Sequence, residues 1–188
     1  MKIKNRYQKE SIQASDFEQT ANNICEKALE DAKSRLHPLL QQVELDRLDQ
    51  RDEFTHAFKN ALEQRIARKL AVWQPAVQAV FRFDESWRDT HKSWDGSIHL
   101  LVKVPRLSNA MKAFGKKLDK SLLECLRHCG WSRFLKSKSV LEIQQVTSNE
   151  IRHGVSYGAM FSAVYSAPVK VWPQSKHHEE SSIDKQFE

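Results

Sequence analysis

The feature that most constrains the fold is a change in the spacing of apolar residues on either side of Pro75. Before this proline, apolar residues from Phe54 to Trp73 recur every three or four positions, which is the period of an amphipathic helix. After it, apolar residues stand at every second position from Val77 to Phe83, which predicts a strand. A chain that passes from the first period to the second belongs to the α+β class, with helices followed by a sheet.

The sequence before Pro75 predicts two or three helices. Ser15 and Glu18 have capping-box spacing, so the first helix is expected to begin at Ser15. His37-Pro38 marks a boundary, because the residue before a proline disfavours the α conformation, and Pro38 suits the first turn of the next helix. We assign a flexible N-terminus to residues 1–14 and a helical region to residues 15–74. These helices either cover the sheet or project from it as an arm.

The sequence after Pro75 predicts a β-β-α-β-β unit over residues 75–172. A second alternating segment runs from Ile98 to Val104, and the polar loop before it contains the turn dipeptide Asp95-Gly96. A helix is expected from Met111 to Cys129, capped by Ser108 or Asn109 and followed by Gly130. Strands are then expected over residues 140–147 and 155–171. Consecutive hairpins favour an antiparallel sheet with one packed helix, and residues 173–188 are expected to form a disordered polar tail.

Composition excludes several classes of protein. The chain has 188 residues, 40% hydrophobic and 29% charged, which fits a globular protein rather than a disordered one. No apolar run reaches the roughly 18 residues that a membrane helix needs. The first residues lack the apolar core of a secretory signal, and three cysteines are an odd number for a disulfide framework. We therefore expect a cytoplasmic location.

Three patterns suggest chemistry, and each lacks part of its context. Residues 154–158 match G-x-S-x-G, but no suitable acid and histidine follow, so a glycine-containing strand is expected there. The second pattern is a set of metal-ligand types on one helix, Cys125, His128 and Cys129, with Cys25 as a further thiolate. It lacks a second ligand pair, and the two helix cysteines lie on the apolar stripe. Nothing fixes the geometry of the acidic loop that contains Asp84, Glu85, Asp89, His91 and Asp95. We therefore predict no cofactor, no metal site and no catalytic residue, and enzyme activity stays open with a preference against it.

Charge is the most informative signal. The segment from Lys103 to Lys138 contains ten of the 30 basic residues and two of the 24 acidic residues, a net charge of +8, which leaves −2 for the rest of the chain. Lys112, Lys116 and Lys120 form one stripe on the predicted helix. Like charges at this spacing repel, so the stripe does not stabilise the helix, and an anionic partner turns the repulsion into attraction. Trp131 and Phe134 either stack on bases or belong to the core.

The sequence therefore predicts a non-catalytic module that binds the backbone phosphates of nucleic acid through a basic helix, with DNA and RNA both open. The predicted contact residues are Lys112, Lys116, Lys117, Lys120, Arg127, Arg133, Lys136 and Lys138. The alternative is a protein-interaction or assembly factor that acts through its N-terminal helices, by partner binding or self-association. In that case the basic face is only solvated surface.

Overall fold

The computed structural model describes residues 14–48, 51–82, 94–163 and 167–173. The predicted N-terminus and tail lie outside the described residues, except for Ala14 and Pro173. The helices are α1 (Ala14–Ser34), α2 (Pro38–Gln41), α3 (Leu45–Leu48), α4 (Asp52–Trp73), α5 (Asn109–His128) and α6 (Ser148–His153). The strands are β1 (Ala79–Arg82), β2 (Ile98–Lys103), β3 (Leu141–Val146) and β4 (Val169–Trp172). The prediction of a mixed helix and sheet structure is confirmed.

The two long N-terminal helices pack on the rest of the molecule. Residues of α1 that are spaced three and four apart, such as Phe17, Ala21 and Ala28, are buried, and α1 packs against both α4 and α5. Small alanine side chains let the helices approach closely. α4 contacts β1, β2 and β4, so these helices cover the sheet rather than project from it. α1 begins at Ala14, so Ser15 lies inside the helix and not at the predicted cap, whereas Pro38 begins α2 as predicted.

The sheet has the strand order β3-β2-β1-β4 and is mixed. β1 runs antiparallel to both β2 and β4, but β2 and β3 are parallel, with Ile98 opposite Leu141 and Lys103 opposite Val146. The prediction of an antiparallel sheet is therefore wrong for this pair. The physical reason is α5, because a long helix between two strands carries the chain back along the sheet, so that the second strand starts at the same end as the first.

The predicted strand over residues 155–171 is wrong for most of its length. Thr147 and Glu150 form a capping box that begins α6, and Gly154 ends this helix in the left-handed conformation with φ +61°. A 3₁₀-helix, Ser156–Ser162, follows. At Gly158 a Cβ atom would lie 2.1 Å from the carbonyl oxygen of Glu150, so only glycine permits this close approach. Of the alternating apolar residues, Phe161 packs on the sheet through Phe81, whereas Val155 and Tyr157 are exposed. Among the described residues of this range, strand structure is found in β4.

One hydrophobic core joins the helices and the sheet. Its buried residues include Phe17 of α1, Leu62 of α4, Leu100 of β2 and Leu122 of α5. The second face of the sheet is covered by the 3₁₀-helix, where the rings of Phe81 and Phe161 meet edge to face at 4.9 Å. The boundary between residues 74 and 75 stays a prediction, although residues on both sides of it contribute to this core. Among the described helices, none is both long and apolar enough to cross a membrane.

Candidate nucleic-acid interface

α5 carries most of the predicted basic surface and is fixed in place by its apolar face. Met111, Phe114, Leu118 and Leu122 are buried against the core, at the helical spacing that the sequence predicts. The start of the helix is held from β3, because the backbone N–H of Ser108 donates to Gln145 Oε1 at 2.9 Å and Gln145 Nε2 donates to the Ser108 carbonyl at 2.8 Å. Ser108 occupies the N-cap position, but its side chain makes no capping bond.

Lys112, Lys116 and Lys120, here called the exposed lysine stripe, lie on the solvent side of α5. All three are exposed, and each is about 6 Å along the helix axis from the next. Lys120 Nζ lies 3.9 Å from Glu124 Oε1, which is a long, solvated ion pair. The side chains of Lys112 and Lys116 make no ion pair or hydrogen bond with any residue in the described part of the chain. The stripe is therefore a local excess of positive charge that the structure does not neutralise.

Three other predicted lysines flank the exposed lysine stripe. Lys136 and Lys138 are exposed on the segment that follows α5. Lys117 is also exposed, but its Nζ lies 5.8 Å from the centroid of the Phe17 ring, so this side chain leans toward α1. The structure brings Lys136 and Lys138 near the C-terminal end of α5 and places Lys117 on another side of the helix from the stripe.

The two predicted arginines serve the fold. Arg127 donates from Nε to the carbonyl of Phe134 at 3.2 Å and from Nη2 to the carbonyl of Ser137. Arg133 donates from Nη1 to the carbonyl of Trp94, and its guanidinium lies 5.6 Å from the centroid of the Trp94 ring. These donors hold the chain between α5 and β3, and contact of the two arginines with phosphate stays a prediction. We call residues 127–134 the anchored segment.

The aromatic residues of the anchored segment lie inside the core. Trp131 is 1% exposed and stacks on Phe58 at 4.4 Å and on Phe54 at 5.6 Å between ring centroids. Phe134 is fully buried and meets Trp94 edge to face at 5.7 Å. Of the two interpretations that the sequence leaves open, base stacking is therefore wrong, since neither ring is accessible to a nucleobase.

The three cysteines of the chain meet where α1 packs against α5. A hydrogen bond with Cys125, together with burial, raises the pKa of the Cys25 thiol well above its ordinary value. Cys125 accepts this bond, which lowers the pKa of its own thiol. Cys129 is exposed as a residue, but partial burial of its thiol and the neighbouring Cys125 raise its pKa to about 11. Nδ1 of His128 lies 2.7 Å from the Glu124 carbonyl oxygen. Within the described ranges, no group of three or more such side chains is placed to hold a metal ion.

The other two sequence patterns do not form a reaction centre in the part of the chain that the structure describes. Ser156 is exposed with φ +50° and follows α6 rather than a strand, so the strand before a nucleophile elbow is missing. Of the acidic loop, Asp84, Glu85, Asp89 and His91 lie outside the described residues. Asp95 is described, and although burial opposes ionisation, hydrogen bonds from the Ser97 hydroxyl and N–H lower the pKa of its carboxyl.

Sequence reasoning missed a second basic location. Arg65, Arg68 and Lys69 of α4 line a cleft between α4 and α1, together with polar residues of α1. Their i, i+3, i+4 spacing places them on one face of the helix, and that spacing is the signal that the sequence offers. The sequence does not show which element lies opposite this face.

Comparisons with protein-family models, with curated proteins and with solved structures find no match to this chain. The assignment of function therefore depends on the geometry and charge of its own residues.

Proposed function

We propose that the protein is a non-catalytic module that binds the phosphate backbone of nucleic acid through the exposed lysine stripe of α5. The observation that carries this proposal is the position of Lys112, Lys116 and Lys120 on successive turns of a helix whose opposite face is fixed in the core. A rigid helix presents the three ammonium groups in a row, so only side chains lose freedom when phosphates bind.

The charges of the stripe favour an external anionic partner over a role in folding. Lysines four residues apart on a helix repel one another by a few tenths of a kcal/mol. The solvated pair of Lys120 with Glu124 contributes at most about 1 kcal/mol. Binding of phosphates removes the repulsion and releases condensed counterions, which is the main source of sequence-independent affinity. Lys117, Lys136 and Lys138 extend the positive field, whereas Arg127 and Arg133 use part of their guanidinium donors to hold the fold.

The mode of binding that we propose is salt-sensitive and tolerant of sequence. Contacts to phosphate oxygens position a protein on nucleic acid but carry no direct information about the bases. The two aromatic side chains of the anchored segment are buried and add no stacking. Affinity is therefore expected to depend on the number of lysines more than on the bases offered.

The test is fluorescence anisotropy with labelled single-stranded and duplex DNA and RNA across a salt series. The variant K112Q/K116Q/K120Q is expected to lower the slope of log K against log salt by about 2 to 3, since each lost phosphate contact contributes about 0.7 to 0.9. The matched control K27Q/R152Q/K170Q removes three exposed charges from α1, α6 and β4 and is expected to leave the slope unchanged. Equal losses in both triple variants, or no binding by the unaltered protein at low salt, would overturn the proposal.

The alternative of a protein-interaction factor stays a prediction and receives no specific support. The apolar residues of α1, including Phe17, Ile24 and Ala32, are buried inside the chain rather than free for a partner. Among the described residues of α1 and α4, the large apolar side chain that is exposed is Val72. Deleting these helices would strip the core, so light scattering on the full chain and on K112Q/K116Q/K120Q is the appropriate measurement of self-association.

A further inference from the structure

The cleft between α1 and α4 has the size and lining of a small-molecule site. Its volume is about 430 Å³, within the usual range for ligand pockets. None of the described residues that line it is acidic, and two, Ile24 and Val72, are apolar. The polar lining consists of Arg65, Arg68 and Lys69 from α4 and of Gln19, Thr20 and Asn23 from α1. A wall with three cations and uncharged hydrogen-bonding groups favours an anion.

Arg65 is held in a fixed orientation at this cleft. Its Nε donates to Asp31 Oδ2 at 2.9 Å, and Nη2 donates to the same oxygen. These two bonds use two of the five N–H donors of the guanidinium. The other three make no hydrogen bond to a residue of the described ranges. Asp31 therefore positions the guanidinium without occupying all of its donors, which is a suitable arrangement for an oxyanion.

Thr20 supplies a second, independent observation on the opposite wall. It is 8% exposed, yet its hydroxyl has no hydrogen-bond partner among the residues that the structure describes. The hydroxyl oxygen is not among the fully buried atoms that lack a partner, so it keeps contact with solvent at the cleft that Thr20 lines and is available to a ligand there. Lys69 lies across from it, with Nζ 4.6 Å from the centroid of the Trp73 ring and no described acidic partner.

We infer that this cleft binds the phosphoryl group of a small phosphorylated organic molecule, a site separate from the exposed lysine stripe. Arg65 and Lys69 neutralise the dianion from the α4 wall, and the Thr20 hydroxyl donates to it from the α1 wall. Donors on two walls suit a tetrahedral phosphoryl group, which accepts from several directions, better than a planar carboxylate. Val72, 71% exposed at the edge of the cleft, contacts the apolar part of the ligand.

The test is an NMR titration of the ¹⁵N-labelled full chain with phenyl phosphate, inorganic phosphate and benzoate at constant ionic strength. Saturable shift changes are expected at residues 19–24 and 65–72, with phenyl phosphate binding more tightly than inorganic phosphate and benzoate binding least. Tighter binding of benzoate would overturn the phosphoryl assignment. Changes confined to α5 would show that phosphate responds only to the exposed lysine stripe and would overturn the site while leaving the proposed function standing.

Variants distinguish specific binding of the phosphoryl group in the cleft from general attraction to positive charge. T20V keeps the shape of the side chain and removes the hydroxyl, so it is expected to weaken phenyl phosphate binding about tenfold, the usual effect of losing one hydrogen bond to a charged group. K69M is expected to weaken it by a similar factor. T20S, which restores the hydroxyl, and K116M, which removes a charge from α5, are expected to bind as the unaltered protein does. Unchanged affinity in both T20V and K69M would overturn the inference even if both variants fold normally.

Discussion

The exposed lysine stripe and the anchored segment are neighbours in sequence and carry the same sign of charge, but they lie in opposite environments. The ammonium groups of Lys112, Lys116 and Lys120 point into solvent from a helix that is fixed from behind. The guanidinium groups of Arg127 and Arg133 point back onto the chain and donate to backbone carbonyls. A single basic run therefore contains a surface that is free to bind and a surface that is already used.

The difference follows from the neighbours of each basic residue. The lysines alternate with the apolar stripe of one regular helix, so their side chains leave the core on its far side. Arg127 precedes Trp131, and Arg133 stands between Trp131 and Phe134. The burial of these two rings draws the chain inward and leaves irregular backbone carbonyls that need donors. A guanidinium has several donors in a fixed fork and meets that need better than an ammonium group.

The largest expected change in stability follows from removing the aromatic stack that holds the anchored segment. W131A removes a side chain that stacks on both Phe54 and Phe58, so the free energy of unfolding is expected to fall by about 3–5 kcal/mol. Urea denaturation followed by circular dichroism measures this loss. K116A, on the exposed lysine stripe, is the control and is expected to change stability by less than about 0.5 kcal/mol. A loss below that limit for W131A would contradict the core position of this ring.

The next effect concerns the donors of the anchored segment. R127M keeps much of the apolar stem but leaves the carbonyls of Phe134 and Ser137 without their donor, so stability is expected to fall by about 1–2 kcal/mol. R127K is expected to recover little of this, because an ammonium group does not reproduce the fork. K120M is the matched control on the same helix. If R127M and K120M have the same unfolding midpoint in urea, the distinction between the two surfaces fails for this residue.

Cys129 lies within the anchored segment and allows a chemical test. A pKa near 11 lowers the thiolate fraction at neutral pH, and alkylation by iodoacetamide is expected to be about tenfold slower than for an unperturbed thiol, since greater nucleophilicity offsets part of the loss. Because the folded-state pKa is raised, the associated stability is present below about pH 9 and is lost as the pH rises through 11. C125A is expected to speed the alkylation of Cys129. Mass spectrometry of timed samples measures these rates, and a rate that equals that of a free thiol would contradict the shift.

Regular elements with one dominant period are the part of the fold that the sequence predicts. The helix from Met111 to Cys129 is observed as α5, and Gly130 follows it with φ +82°. The strands over residues 98–104 and 140–147 are observed to within one residue at each end. The residues of β3 do not indicate its direction, because apolar and polar residues alternate in the same way in parallel and antiparallel strands. The alternation after Gly154 also misleads, because Val155 and Tyr157 are exposed and the backbone from Ser156 onward is a 3₁₀-helix in which Gly158 lies against the Glu150 carbonyl.

The sequence predicts which residues of the candidate site are charged, but it does not predict what surrounds each charged side chain. The periodicity of α5 places Lys112, Lys116 and Lys120 on its solvent side, as the structure has them. No local pattern shows that Arg127 and Arg133 donate to backbone carbonyls, because those contacts depend on tertiary structure. The carbonyls are those of Trp94, Phe134 and Ser137. The cleft beside Arg65 is not predictable for the same reason, because its two walls, residues 19–24 and 65–72, are more than 40 residues apart in the chain.

The smallest expected effect makes the sharpest contrast with the anchored segment. K112Q/K116Q/K120Q is expected to change the free energy of unfolding by less than about 0.5 kcal/mol, with a slight gain at low salt, because mutual repulsion disappears and one solvated pair is lost. This gain is expected to vanish at 1 M salt, because the Debye length is then about 3 Å and the repulsion between the lysines is screened. Urea denaturation at both salt concentrations is the measurement, with R127M as the destabilised reference. A loss comparable to that of R127M would mean that the lysines support the fold. A neutral result, together with a lowered salt slope for nucleic acid, leaves an external polyanion as the reason for three lysines in a row on one rigid helix face.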